Sequence, residues 1–213
     1  MARTHLVWDW NGTLLDDLSL VVSSTNHTFK AIGGRSVDAD EHRQRFRRPV
    51  ADFYAEVLER AVDAEEFEEL DRIFHAAYRV GLTTTSLAAD AEAAIKAWPG
   101  SQSLLSMWFH DELVPAVRTY GLTGMFTRID GRPTEVDGGL KAGHLARHLA
   151  ELTIPGDRVV LIGDSLDDAE AAESVGAACV LYTGGFTDPA RLRASGRPVA
   201  DRLVDAVRLA RTL

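Results

Sequence analysis

Apolar positions along this chain fall into three regimes. The first is a short β-prone run, His5-Leu6-Val7-Trp8, which ends in the loop signature Asp9-Trp10-Asn11-Gly12-Thr13. The second, from Leu18 to Ala97, has helical spacing and no convincing strand. Leu18 to Ile32 is closed by Gly33-Gly34, a good helix stop. Asp38, with Glu41 three residues on, reads as a capping-box-like start. Asp52 to Val62 and Asp63 to Val80 carry Phe53, Val57 and Ala61, then Phe67, Leu70, Ile73, Phe74 and Ala77. Ser86 to Ala97 is a further predicted helix, stopped by Pro99-Gly100.

After Gly100 strands and helices alternate. Ser103 to Trp108, Phe126 to Ile129, Arg158 to Gly163 and Ala178 to Tyr182 read as strands. Glu112 to Tyr120, Leu140 to Leu152, Asp167 to Val175 and Leu203 to Thr212 read as helices. RVVLIG is a continuous apolar run, so that strand is buried on both faces. Strands separated by helices imply right-handed crossovers and a parallel sheet. The predicted fold is therefore α/β: a doubly wound parallel-sheet core, residues 1–15 and 98–213, with an α-helical insertion at 16–97.

Bulk numbers narrow the partners. The 213 residues suit one α/β core with a small inserted domain. A net charge of −9 argues against nucleic-acid backbones and anionic membranes, which select dense Lys/Arg surfaces. A pocket for a small anion is unaffected. The single cysteine, Cys179, excludes an intrachain disulfide and fits a reducing compartment. With no signal peptide and no long apolar span in view, the expected location is the cytoplasm, as a monomer or homodimer.

Ligands of parallel sheets bind beyond the carboxyl ends of the strands. Asp9 ends the first strand, Ser106 the strand after the insertion and Asp164 the RVVLIG strand, while Lys141 opens a helix. Carboxylates on hard oxygens suit Mg2+, which also takes substrate phosphate. A further carboxylate can act as nucleophile and become an aspartyl phosphate. Asp9 would do both. Lys141 and the Ser106 hydroxyl would hold phosphoryl oxygens, with amides of Asn11-Gly12-Thr13 forming a nest.

Asp9-Trp10-Asn11-Gly12-Thr13-Leu14, Ser106, Lys141 and Gly163-Asp164-Ser165-Leu166-Asp167-Asp168 resemble, in order, the four motifs of the haloacid dehalogenase superfamily. The helical block resembles the cap of its phosphoglycolate-phosphatase-like branch. The resemblance implies a Mg2+-dependent phosphatase of a small phosphorylated metabolite. Its nucleophile and metal ligand would be Asp9, with Asn11 giving a backbone carbonyl to the metal and Asp164 and Asp168 completing the metal site. Ser106 and Lys141, with Gly12 and Thr13, would bind phosphate. Asp16 and Asp17 would fall at the hinge.

One position departs from that pattern. Family phosphatases carry an Asp, their general acid and base, where this chain has Asn11. An amide cannot transfer a proton at neutral pH, and such help is typically worth about 10²- to 10⁴-fold. Slow turnover of poor leaving groups follows, with better survival on aryl or acyl phosphates. His110 is the nearest substitute acid, and deamidation of Asn11-Gly12 would create the missing Asp. A phosphate-ester-binding protein and a metal-independent dehalogenase are the alternative readings.

Other residues carry milder expectations. His144 and His148 read as a solvated helix face rather than a metal pair. Trp8 reads as core, whereas Trp10 and Trp108 either pack or line the substrate entrance. Arg43, Arg45, Arg47 and Arg48 read as a surface charge run, or as an attractor for a substrate anion. Asp167 reads as a first-turn acid favoured by the helix dipole, and Cys179 as inert packing.

Overall fold

The computed structural model describes residues 3–133 and 140–213. The strands are β1 (His5–Trp8), β2 (Leu15–Asp16), β3 (Ser86–Leu87), β4 (Ser101–Phe109), β5 (Ile129–Arg132), β6 (Val159–Gly163), β7 (Ala178–Tyr182) and β8 (Val199–Ala200). Six of them form one sheet in the order β5-β4-β1-β6-β7-β8, and every pairing in it is parallel. β1, the first strand of the chain, lies in the middle, so its carboxyl end opens at the centre of the sheet.

The helices are α1 (Leu18–Ala31), α2 (Ala39–Arg45), α3 (Val50–Leu58), α4 (Ala64–Gly81), α5 (Ala91–Ala97), α6 (His110–Thr119), α7 (Lys141–Leu152), α8 (Leu166–Ser174), α9 (Pro189–Ala194) and α10 (Leu203–Ala210). Alternation along the buried strands sorts side chains between two layers. Val7, Val159 and Leu161 join Leu145, Leu149 and Ala172 on the side of α7 and α8. Leu6, Trp8, Val160 and Ile162 join Leu113, Ile95, Leu203 and Val207 on the side of α5, α6 and α10. Each crossover thus covers one face of the sheet, as a doubly wound core requires.

Helices α1 to α4 form the insertion, packed chiefly through α1 against α4. Phe67, Leu70, Phe74 and Tyr78 of α4 recur at three- and four-residue spacing and face its interior. The chain leaves the core at β2 and returns at β3. These two strands pair antiparallel, with Asp16 opposite Ser86, and close the insertion at its neck.

Three expectations are corrected here. Ser86–Leu87 is a strand and not the start of a helix: its backbone bonds to β2, and the helix begins only at Ala91. β5 lies at Ile129–Arg132 instead of Phe126–Ile129, because Phe126 packs into the core beyond a 3₁₀ turn while the polar residues after it make the ladder. Helix α9 and strand β8, unread in the sequence, complete the sheet edge.

Candidate active site

The carboxyl ends of β1 and β6 and the second half of β4 bring Asp9, Asp164 and Ser106 together, and the first turns of α7 and α8 add Lys141 and Asp168. All five side chains are buried. Asp9, Asp164 and Asp168 place ligand oxygens within 4.8 Å of one another. Lys141 Nζ lies between two of them, 2.5 Å from Asp9 Oδ1 and 2.5 Å from Asp168 Oδ1.

The electrostatics follow from burial. Burial pushes the Asp9 carboxyl up to about 6, against the pull of Lys141 and with Asp168 adding repulsion. Burial and the charges of Asp9 and Asp168 raise Asp164 well above the usual carboxylate range. Burial alone would depress the Lys141 ammonium, but Asp168 and Asp9 outweigh it and raise it. Three carboxylates therefore face a single cation. Their all-oxygen donor set and uncompensated charge fit a hard divalent cation such as Mg2+.

Local backbone chemistry holds this cluster. Gly12 has φ +71°, and a Cβ there would stand 2.6 Å from Asp164 Oδ2, so only glycine lets the loop pass so close. Ser165 caps α8 by accepting from the Asp168 amide, while Asp168 Oδ2 accepts from the Ser165 amide and hydroxyl. Asp164 Oδ2 accepts from the Phe186 amide at 2.5 Å. Thr13 Oγ1 sits between Asp9 Oδ2 (3.4 Å) and Asp164 Oδ1 (3.3 Å).

Gly12 and Thr13 do not offer the amides expected of them. The Gly12 amide donates to Asp17 Oδ1 at 2.8 Å and the Thr13 amide to the Trp10 carbonyl at 3.2 Å. Buried amides without a partner are costly, and the loop satisfies these internally. Ser106 Oγ donates to Asn11 Oδ1 at 3.1 Å and accepts from the Trp108 amide.

Asn11 is held on every side. Its Nδ2 donates to Asp17 Oδ2 at 2.9 Å and to the Tyr78 hydroxyl at 2.8 Å. Tyr78 in turn donates to Asp17 Oδ2 at 2.6 Å. A carboxylate can only accept, which fixes the amide's orientation. Burial pushes Asp17 up to about 6 despite its bonds from Tyr78, Asn11 and Gly12. Neither Asp17 nor Tyr78 was singled out for this role. Asp17 stands beside Asp16 as an apparently redundant acid, and Tyr78 is one aromatic among many on α4.

Other placements differ from expectation. His110 Nδ1 accepts from the Gly131 amide at 3.2 Å, so the guessed substitute acid is turned to the backbone of β5. His148 is buried, bonded to Asp130 and Ser103, and not on a solvated face. Trp10 is core against Tyr120, whereas Trp108 lines the cavity over Asp9. The arginine run divides. Arg43 donates to the Gly184 and Gly185 carbonyls, and Arg48 lies 3.6 Å from Asp167 in the cavity. Arg45 and Arg47 pair with Glu56. Asp167 does more than sit near a dipole, since it also accepts from the Lys141 amide. Cys179 is buried and its thiol pushed up by burial, as inert packing requires.

A family model described as "HAD-hyrolase-like" matches residues 136–206. A curated phosphoglycolate phosphatase from Mesorhizobium japonicum is 26% identical over 199 residues, covering 88% of this chain and 86% of that one. A crystal structure of a predicted phosphatase from Clostridium acetobutylicum superposes with TM-score 0.87 at 17% identity, covering all of both chains. A haloacid dehalogenase-like hydrolase from Streptococcus pneumoniae gives TM-score 0.82 at 19% identity, covering 97% of this chain and 98% of that one. The chain thus shares the fold of these structures along its whole length, and its residues 136–206 match the haloacid dehalogenase-like family model. In sequence it is similar to the phosphoglycolate phosphatase, and it carries a helical insertion after the first strand.

Proposed function

We propose that this protein is a Mg2+-dependent phosphatase that cleaves a small phosphomonoester through a covalent intermediate on Asp9. The observation that carries this reading is the buried cluster of Asp9, Asp164 and Asp168, with Lys141 Nζ 2.5 Å from Asp9 and 2.5 Å from Asp168. Asp9, Asp164 and Asp168, with the Asn11 carbonyl, would hold Mg2+, which neutralises charge on the phosphoryl group when bound.

The chain's own groups supply the rest. Asp9 attacks phosphorus and displaces the alcohol, forming an acyl phosphate. Lys141 and the Ser106 hydroxyl hold phosphoryl oxygens in line, so most of the acceleration is positioning and charge. Water then attacks the acyl phosphate, releasing inorganic phosphate and restoring Asp9. Asn11 can orient these groups but cannot carry the proton. The insertion, drawn from sequence as residues 16–97, acts as a cap. It docks through Tyr78 and Arg43, while α5 stays with α10 on the core.

The relative from Mesorhizobium japonicum suggests phosphoglycolate as one candidate. Among the described residues no helix is long and apolar enough to cross a membrane, and we assign the protein to the cytoplasm. Asn11 favours a second reading, a phosphate-ester-binding protein with little turnover. One assay separates them: hydrolysis of 4-nitrophenyl phosphate with and without Mg2+, native against Asp9→Asn. Turnover that needs both Mg2+ and Asp9 supports the phosphatase. Tight binding without turnover supports the alternative.

A further inference from the structure

The cavity over Asp9 measures about 130 Å3 and is partly open. Asp9, Asn11, Ser106 and Lys141 line it at the core side. Phe46, Phe53, Tyr54, Phe74, Trp108 and Phe186 supply aromatic wall. Its cations do not ask for a second anionic group: Arg48 faces Asp167 at 3.6 Å and Arg132 faces Asp71 at 3.9 Å.

We propose that the ester cleaved here is a small aryl phosphate, the monoester of an uncharged phenol whose ring lies against this aromatic wall. The proposal rests on the phosphatase reading and names its substrate class. Asn11 supports it independently, because a phenolate leaves without a proton from the enzyme, whereas an alkoxide does not. The balance closes with water alone. Asp9 oxygen bonds to phosphorus as the phosphorus–phenolate bond breaks. Water then breaks the acyl phosphate, one of its protons goes to the phenolate, and the products are phenol and inorganic phosphate.

The test compares phenyl phosphate, benzyl phosphate and phosphoglycolate with the Mg2+-loaded protein. The kcat/KM for phenyl phosphate should exceed that for phosphoglycolate by about 100-fold or more. Benzyl phosphate carries the same ring on an alkoxide leaving group. It should compete with phenyl phosphate yet turn over about 100-fold more slowly. A preference for phosphoglycolate, or equal turnover of benzyl and phenyl phosphates, overturns the proposal and leaves the phosphatase reading intact. Calorimetry of phenyl phosphate on Asp9→Asn with Mg2+ separates the two claims. Aryl binding about tenfold tighter than phosphoglycolate, with no turnover by native protein, keeps the ring site and removes the phosphatase.

Discussion

Asn11 and Asp17 are best understood as a matched pair. The amide donates to a buried carboxylate that already accepts from Tyr78 and Gly12. Asn11→Asp, the change that would restore the missing acid, sets a half-buried carboxylate against the buried one of Asp17. It should destabilise the protein by about 2–4 kcal/mol in urea unfolding. Adding Asp17→Asn should recover most of that loss. The same bonds protect the Asn11-Gly12 step, since the side-chain amide and the Gly12 amide are both engaged with Asp17, so the expected deamidation is disfavoured. His42 carries a separate signature. Its folded pKa near 4 lies below the ordinary 6.5, so the unfolded chain takes the proton first. That contribution is present above about pH 6.5 and lost as pH falls toward 4, on the order of 3 kcal/mol. His42→Phe should therefore show less acid sensitivity than the native chain when unfolding is followed across that window.

At the scale of elements, sequence and structure agree where burial writes the pattern. β6 and β7 are apolar runs because both faces are covered, and β1 is marked by its apolar side chains and terminal Asp9. Pattern fails where partners decide. β5 reads Ile-Asp-Gly-Arg and is a strand because β4 pairs with it. β3 exists only to close the neck with β2. The site residues stood at strand ends and helix starts, so Asp9, Ser106, Lys141, Asp164 and Asp168 were legible. Tyr78 was not, because its role depends on how the insertion docks. His148 was misread for a related reason. On α7 it lies at the edge of the apolar stripe, yet it bonds to Asp130 (2.7 Å) and Ser103 (2.7 Å), and Ser103 also meets His5. This buried polar chain ties α7 to β1, β4 and β5. His148→Leu should cost about 1–3 kcal/mol by removing its bonds to Asp130 and Ser103, which keep only Arg128 and His5 as partners. Activity per folded molecule should be retained, as thermal melting and assay at low temperature would establish.

For the whole molecule, the core supplies a charged cluster that the fold alone leaves unbalanced. Mg2+ binding only the folded state should raise stability by about 2–3 kcal/mol at 100-fold excess over Kd. For a chain of this size that is a rise in Tm of about 5–10 °C. Asp164→Asn should lose that rise, and a rise unchanged in this variant would place the ion elsewhere.

Every claim about chemistry returns to one oxygen of Asp9. The direct test is to mix the protein with Mg2+ and an aryl phosphate, quench in acid and locate the phosphoryl group by peptide mass spectrometry. The account predicts a phosphorylated peptide containing Asp9 that is absent without Mg2+ and absent in Asp9→Asn. Undiminished turnover in Asp9→Asn, or a phosphoryl group on another residue, would contradict it.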